Sequence, residues 1–290
     1  MRELTPDGAI KPARVFVFTF LAMLAFASNS LLCRLALKHT AIDAASFTLT
    51  RLAAGALVLC LIVLLRHRST ALLGSWPSAA ALFIYAAAFS FAYLTLSAGT
   101  GALLLFGAVQ ATMILWGIRQ GERLHARPLL GLVLALGGLV LLVFPGLSAP
   151  PLVGSLLMLS AGIAWGAYSL RGKSAGDPAR ATAGNFLRAV PFAIVLSLAS
   201  LPWANFDRAG LSYAILSGAL ASGLGYVIWY AALPGLKSAS AATVQLSVPV
   251  LAAAGGILLL GEAITWRFVY AALAILGGIA LVVLEQRRTR

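Results

Sequence analysis

Negative charge is scarce in this chain. Eight of its 290 residues are Asp or Glu, against 21 Lys and Arg, and charged residues of either sign make up only 10%. A soluble domain carries roughly 25%. The eight acids are Glu3, Asp7, Asp43, Glu122, Asp177, Asp207, Glu262 and Glu285, and each falls in a tail, a connection or the end of an apolar run. His39, His67 and His125 lie outside the runs too. No carboxylate or imidazole therefore stands mid-run to take up and release a proton, as proton pumps and antiporters commonly require. Cysteine is almost absent: Cys33 and Cys60 form no C-x-x-C pattern, sit toward opposite ends of neighbouring runs, and are read as unpaired thiols. The chain has no acid pair, Ser-His-Asp set or metal-ligand spacing, so an enzyme, a cofactor and a metal are not expected.

What is present is apolar. Hydrophobic residues make up 61%, more than a soluble chain of this length can keep from water. Runs of ~20 residues are long enough to cross a bilayer as helices. They are read at 14–37, 43–66, 78–97, 100–118, 127–144, 152–171, 181–201, 210–233, 237–259 and 265–284. The runs are continuous rather than alternating, which excludes barrel strands. The expectation is an all-α polytopic membrane protein with ten transmembrane helices and no soluble domain. Ala25-Phe26-Ala27 resembles a signal-cleavage pattern, but the first run belongs to the repeat described below and is read as retained.

Positive charge orients these spans. With the N-terminus inside, Arg34, Lys38, Arg208 and Arg267 lie in outer segments and Arg51 and Arg188 within spans. The other fifteen Lys and Arg then lie in inner segments. That bias puts both termini in the cytoplasm. The net charge of +13 is thereby assigned to orientation and anionic lipid. Scattered over short loops, it gives no nucleic-acid surface.

The chain also says the same thing twice. Gly121-Glu122 recurs 140 residues later as Gly261-Glu262. At the same offset, Leu136-Gly137-Gly138-Leu139 recurs as Leu276-Gly277-Gly278-Ile279. Leu21, Met23, Leu24, Leu35 and Lys38 match Leu156, Met158, Leu159, Leu170 and Lys173, and Arg51 matches Arg188. The Pro- and Gly-rich stretch 144–151 separates the copies. Two units are expected, residues 1–146 and 147–290, each of five spans. An odd number of spans makes the second unit enter from the opposite face, giving an inverted repeat with a site at its midplane.

Ten short helices, a fivefold inverted repeat and Gly-Glu before the last helix of each half resemble the drug/metabolite transporter superfamily, in its EamA-type branch. The resemblance covers residues 14–284. Within it the chain looks most like YddG-type exporters of aromatic amino acids. The resemblance implies an exporter of small polar metabolites in a bacterial inner membrane, working by alternating access. The alternative is export of other metabolites or cationic drugs by proton antiport. The expected partners are a small-molecule substrate and the lipid bilayer, with the protein a monomer or a weak homodimer.

Polar groups within spans need a reason in lipid. Asn29, Gln110 and Gln245 fall near the middle of spans 1, 4 and 9, and an amide both donates and accepts toward a zwitterion. Each also suits an interhelical hydrogen bond. Tyr85, Tyr93, Trp165, Tyr168, Tyr226 and Tyr230 lie within spans and can stack on an aromatic substrate or simply pack. Spans 1, 3, 4, 6, 8 and 9 are expected to line the site. Arg51 and Arg188 are read first as structural residues tying down backbone carbonyls, and second as a cationic site for a carboxylate. The carbonyls that Pro191 frees are natural partners for Arg188, and Pro249 is expected to kink span 9 beside Gln245. Glu122 and Glu262 are read as helix-end caps. Gly162 and Gly166 form a GxxxG pair for close helix approach.

Overall fold

The structure, a computed structural model, describes residues 12–67, 73–121, 126–146, 149–172, 177–236 and 244–285, with the side chains of 67, 126–128 and 282–285 excepted. Ten helical rods make up these residues. They are α1 (Pro12–His39), α2 (Ala44–His67), α3 (Trp76–Ala92), α4 (Ala98–Arg119), α5 (Ala126–Val143), α6 (Leu152–Gly172), α7 (Pro178–Ala199), α8 (Arg208–Gly235), α9 (Ser247–Leu260) and α10 (Trp266–Glu285). By length and composition α1, α2, α4, α6, α7 and α8 are each able to cross a membrane, while the others are shorter apolar helices. The outward surface carries large apolar side chains such as Phe16, Leu57, Val153 and Leu258. Such a surface suits lipid rather than water, and the protein is a multi-pass membrane protein.

Helix ends are fixed by side chains. Asp43 and Asp177 accept from backbone N–H groups in the first turns of α2 and α7. Asp207, Ser75 and Ser97 do the same for α8, α3 and α4. Such caps satisfy N–H groups that have no partner within the helix. They also explain why the third rod ends at Ala92 rather than at 97. Tyr93–Ser97 form a turn, and Ser97 caps α4.

In the ninth span the described residues are helical at Val244 and Gln245, turn at Leu246 and are helical again from Ser247. Pro249 is the third residue of that helix and has no N–H to offer the Gln245 carbonyl, so the helical path is interrupted beside Gln245. Pro191 does lie inside α7, which continues through it to Ala199.

The packing repeats itself. The main pairs are α5–α10, α2–α7, α4–α9, α3–α6 with α8–α1, α4–α6 with α9–α1, and α3–α7 with α8–α2. Adding five to each helix number, cyclically, returns the same set. The α5–α10 contact shows this at residue level. A Cβ on Gly138 would meet Ala271 O, Ala274 and Ile275 of α10, and one on Gly278 would meet Gly131 O and Ala135 of α5. Each Gly faces the counterpart of what the other faces, which is an isologous contact. Rising numbers on α5 meet falling numbers on α10, so the pair is antiparallel.

Connections sort to two ends of the bundle. At one end, here the odd end, the α1–α2 and α7–α8 connections bond through Asp43 and Asn205. Arg34 near the end of α1 reaches Glu262 in the α9–α10 connection and the carbonyls of Tyr93 and Leu94 in α3–α4. Arg267 reaches Phe144 O in α5–α6. At the even end, Leu73 and Ser75 before α3 meet Arg188 and Asn185 of α7, and Arg171 of α6 bonds to Ser78.

Candidate functional site

The chemistry-bearing side chains meet in one cluster supplied by α1, α2, α3, α6, α7 and α8. Arg51 on α2 is 2% exposed. Its Nη2 donates to the Tyr85 hydroxyl at 2.9 Å. Its guanidinium carbon lies 5.3 Å from the Tyr85 ring centre and 4.8 Å from that of Phe89. Aromatic faces offset part of the cost of a desolvated cation. Its other terminal nitrogen, Nη1, is buried and has no hydrogen-bond partner among the described residues.

From Tyr85 the cluster runs as a chain of rings. Trp165 on α6 is 4.8 Å from Tyr85, and it stacks on Tyr168 at 5.3 Å and on Tyr226 of α8 at 5.5 Å. Tyr226 stacks in turn on Tyr230 and is flanked by Phe26 and Phe186. The hydroxyls are engaged. Tyr168 receives a hydrogen bond from Asn185 Nδ2 at 3.4 Å, and Tyr230 pairs with Thr182 at 3.1 Å. Asn185 Oδ1 accepts from the Ser75 backbone N–H. Asn185 also lines a cleft of about 290 Å³ at the even end, with Leu73, Gly74, Ser78 and Arg171. Asn185 thus joins Tyr168 of the cluster to the wall of that cleft.

Asn29 sits beside this chain on α1. Its Oδ1 accepts from Ser217 and Ser222 at 2.8 and 3.3 Å. Both serines belong to Ser217–Leu224, where α8 widens into a π-helix. Such a widened turn frees backbone geometry and recurs at functional sites. It also brings Gly218 so close to the Arg51 carbonyl that a Cβ would overlap it.

Other candidates lie elsewhere. Gln110 on α4 is buried, and among the described residues no hydrogen bond ties it to the cluster. Gln245 is half-buried next to the break before α9. Tyr93 is buried at the odd end, donating to Ala98 O and packing edge-on against Phe89 of the cluster. Arg188 holds the carbonyls of Leu73 and Gly184. Pro191 frees the carbonyl of Leu187, which is neither of these, and that expectation is corrected. Glu262 caps a different helix from its neighbour α10: Oε2 accepts the Ala98 N–H at the start of α4, and Oε1 pairs with Arg34 at 3.3 Å. Glu122 lies outside the described residues.

Asn185, Phe89, Phe186 and the serine pair were not singled out from the sequence. Asn185 alone gave a usable signal, as an amide within a span. At the odd end the α1–α2 and α7–α8 connections form a reciprocal clasp. Asp43 Oδ2 accepts from Asn205 N, and Asp207 Oδ1 accepts from Ala41 N, each acid also capping its own helix. At Asp43 burial pulls the carboxyl upward. The Ser46 hydroxyl and the N–H groups of Asn205, Ser46 and Ala45 outweigh it and hold the acid below its ordinary value.

Known proteins fit this architecture. The chain is similar to a protein seen in a crystal structure, with a TM-score of 0.66 at 19% identity over 95% of this chain and 99% of that one. At that identity the likeness is one of fold. It is 34% identical over 153 residues to the threonine/homoserine exporter RhtA of Salmonella typhimurium, half the length of each chain. It is 62% identical to the uncharacterized protein PA1977 of Pseudomonas aeruginosa, covering 93% of this chain and 94% of that one. Residues 152–284 match the model of the EamA-like transporter family. The chain shares a family with the Pseudomonas protein, and its residues 152–284 are an EamA-like transporter region.

Proposed function

We propose that this protein is an inner-membrane exporter of aromatic and other neutral amino acids, working by alternating access at the Arg51–Tyr85–Trp165–Tyr226 cluster. All ten helices cross the bilayer, both termini are cytoplasmic, and residues 1–146 and 147–290 are inverted repeats. The observation that carries the reading is the composition of the cluster. Arg51 and Tyr85 come from the first half, and Trp165, Tyr168 and Tyr226 from the second. A site shared between two rocking halves opens to alternate faces without being rebuilt. The isologous α5–α10 contact and the pairing pattern that maps onto itself support the inverted repeat. RhtA is by its name a threonine/homoserine exporter, and the ring chain favours aromatic amino acids here. The YddG-type assignment rests on the overall similarity of the chain, and the ring chain adds support to it.

The acids among the described side chains, Asp43, Asp177, Asp207 and Glu262, all lie at the ends of the bundle. Transport is accordingly expected to run down the substrate gradient without tight proton coupling. The test is uptake of radiolabelled phenylalanine, tryptophan and threonine by proteoliposomes, with and without an imposed pH gradient. Saturable aromatic uptake that ignores the gradient is expected. Stimulation of about tenfold by the gradient alone would defeat the uncoupled mechanism. Absence of uptake of all three would defeat the substrate assignment.

A further inference from the structure

A buried cation with an unused donor is expensive. Desolvating a guanidinium costs several kcal/mol unless its N–H groups and charge are met. Arg51 is met only in part: one hydroxyl and two ring faces, with Nη1 unpartnered among the described residues. Its repeat mate Arg188 shows the contrast, since that Nη1 bonds to two carbonyl oxygens near the even end. Arg51 makes no such carbonyl contact among the described residues. Within lipid, an ionisable side chain held in this way points to a ligand.

Its surroundings say what kind. The described acids of the chain are at the bundle ends, so the cluster holds one positive charge and no negative one. A carboxylate supplies both things Arg51 lacks, an acceptor for Nη1 and a countercharge, in the geometry that suits a guanidinium. An ammonium finds no acidic partner here and meets Arg51 as a like charge. The remaining wall is aromatic: Tyr85, Phe89, Trp165 and Tyr226. Tyr85 and Trp165 are now in contact at 4.8 Å, so a ligand ring enters by parting them.

We infer that Arg51 is the carboxylate anchor of the site, and that the site recognises aryl-substituted monocarboxylates by the carboxylate and the ring, without requiring an α-amino group. This rests on the transport reading for the site's location but sharpens its chemistry. A net-anionic arylalkanoate should bind at least as well as the corresponding zwitterionic amino acid.

The experiment is equilibrium binding to the purified full chain in detergent, with three probes that differ at one end only. These are radiolabelled 3-phenylpropanoate, its methyl ester and 2-phenylethylamine. The acid is expected to bind, with the ester and the amine weaker by about tenfold or more. This comparison needs no variant, so folding does not confuse it. Arg51→Gln should then lose acid binding while Arg188→Gln keeps it, both checked for monodisperse elution. Equal binding of acid, ester and amine, or failure of the acid to bind, would overturn the inference, as would full acid binding by a well-folded Arg51→Gln. Phenylalanine transport measured in parallel separates the two readings. Acid binding without phenylalanine transport keeps the anchor and removes the amino-acid substrate. Transport that is untouched by 3-phenylpropanoate and by Arg51→Gln keeps the transporter and removes the anchor.

Discussion

Arg51 and Arg188 occupy matching places in the internal repeat read from the sequence, and they meet different partners. Arg188 lies near the even end, where backbone carbonyls before α3 are within reach, and it binds them. Arg51 is enclosed by α3 and meets Tyr85 and Phe89 instead. The difference is set by neighbours, because position 85 carries the hydroxyl that takes one of its N–H groups. Tyr85→Phe removes that acceptor and leaves a second donor of a buried cation unmet. We expect a loss of about 1–3 kcal/mol, the cost of an unsatisfied buried polar group. Thermal unfolding in detergent reads it out. A Tyr85→Phe protein as stable as the parent would mean that the ring faces alone hold the guanidinium. The pairing of Arg51 with Arg188 was legible in the sequence, and their divergence was not. Offset matching identifies equivalent backbone positions but carries no information on which side chains a helix turns toward them.

Among the elements, small residues decide which helices can touch. The two Gly-Gly pairs are the clearest repeat in the sequence, yet only the second glycine of each is in contact. A Cβ on Gly138 or Gly278 would press on the facing helix, while one on Gly137 or Gly277 would meet nothing within 4 Å. Gly277→Ala is therefore expected to be neutral or slightly stabilising, by the ~1 kcal/mol by which alanine exceeds glycine inside a helix. Gly218→Ala should destabilise, because its Cβ overlaps the Arg51 carbonyl and separates α2 from α8 at the π-helical stretch. Overpacking of this kind costs about 1–3 kcal/mol. Opposite signs for the two substitutions in the same unfolding assay are the expected result, and equal small effects would refute the close α2–α8 approach. Eight helices were placed from the apolar runs to within three residues at either end, because lipid fixes both their length and their composition. The third was overrun, because Tyr93–Ser97 carries no charge and continues the apolar run, so hydropathy alone does not see the turn. The Ser97-x-x-Thr100 cap was the signal available there. The start of the ninth run, 237–243, lies outside the described residues.

At the scale of the molecule, the odd end of the bundle is the one fastened through acids. The fastening is the Asp43–Asp207 clasp together with the Arg34–Glu262 pair. For export by alternating access this end must part. The clasp does not part by protonation near neutral pH. Asp43 is held below its ordinary value in the folded protein, so its contribution is complete above the unfolded value of about 3.9 and is lost only as pH falls through the lower, folded one. Melting temperature should be flat from neutral pH down to about 5 and fall steeply below about 4. Asp43→Asn should melt lower at neutral pH and fall less steeply, and a parallel fall would remove Asp43 as the cause. If the clasp is a gate, substrate binding rather than protonation is what opens it. That can be tested by making the clasp permanent. Asp43 and Asn205 are joined through their backbones, with Asp43 N donating to Asn205 O at 3.2 Å, close enough for neighbouring cysteines to bridge. With Cys33 and Cys60 replaced by alanine, the Asp43→Cys, Asn205→Cys protein should transport when reduced and stop when oxidised. Reductant should restore it, so that each preparation is its own control for the lost cap. Undiminished transport by the fully oxidised protein would show that substrate leaves without parting these loops, and that the clasp is a structural tie rather than a gate.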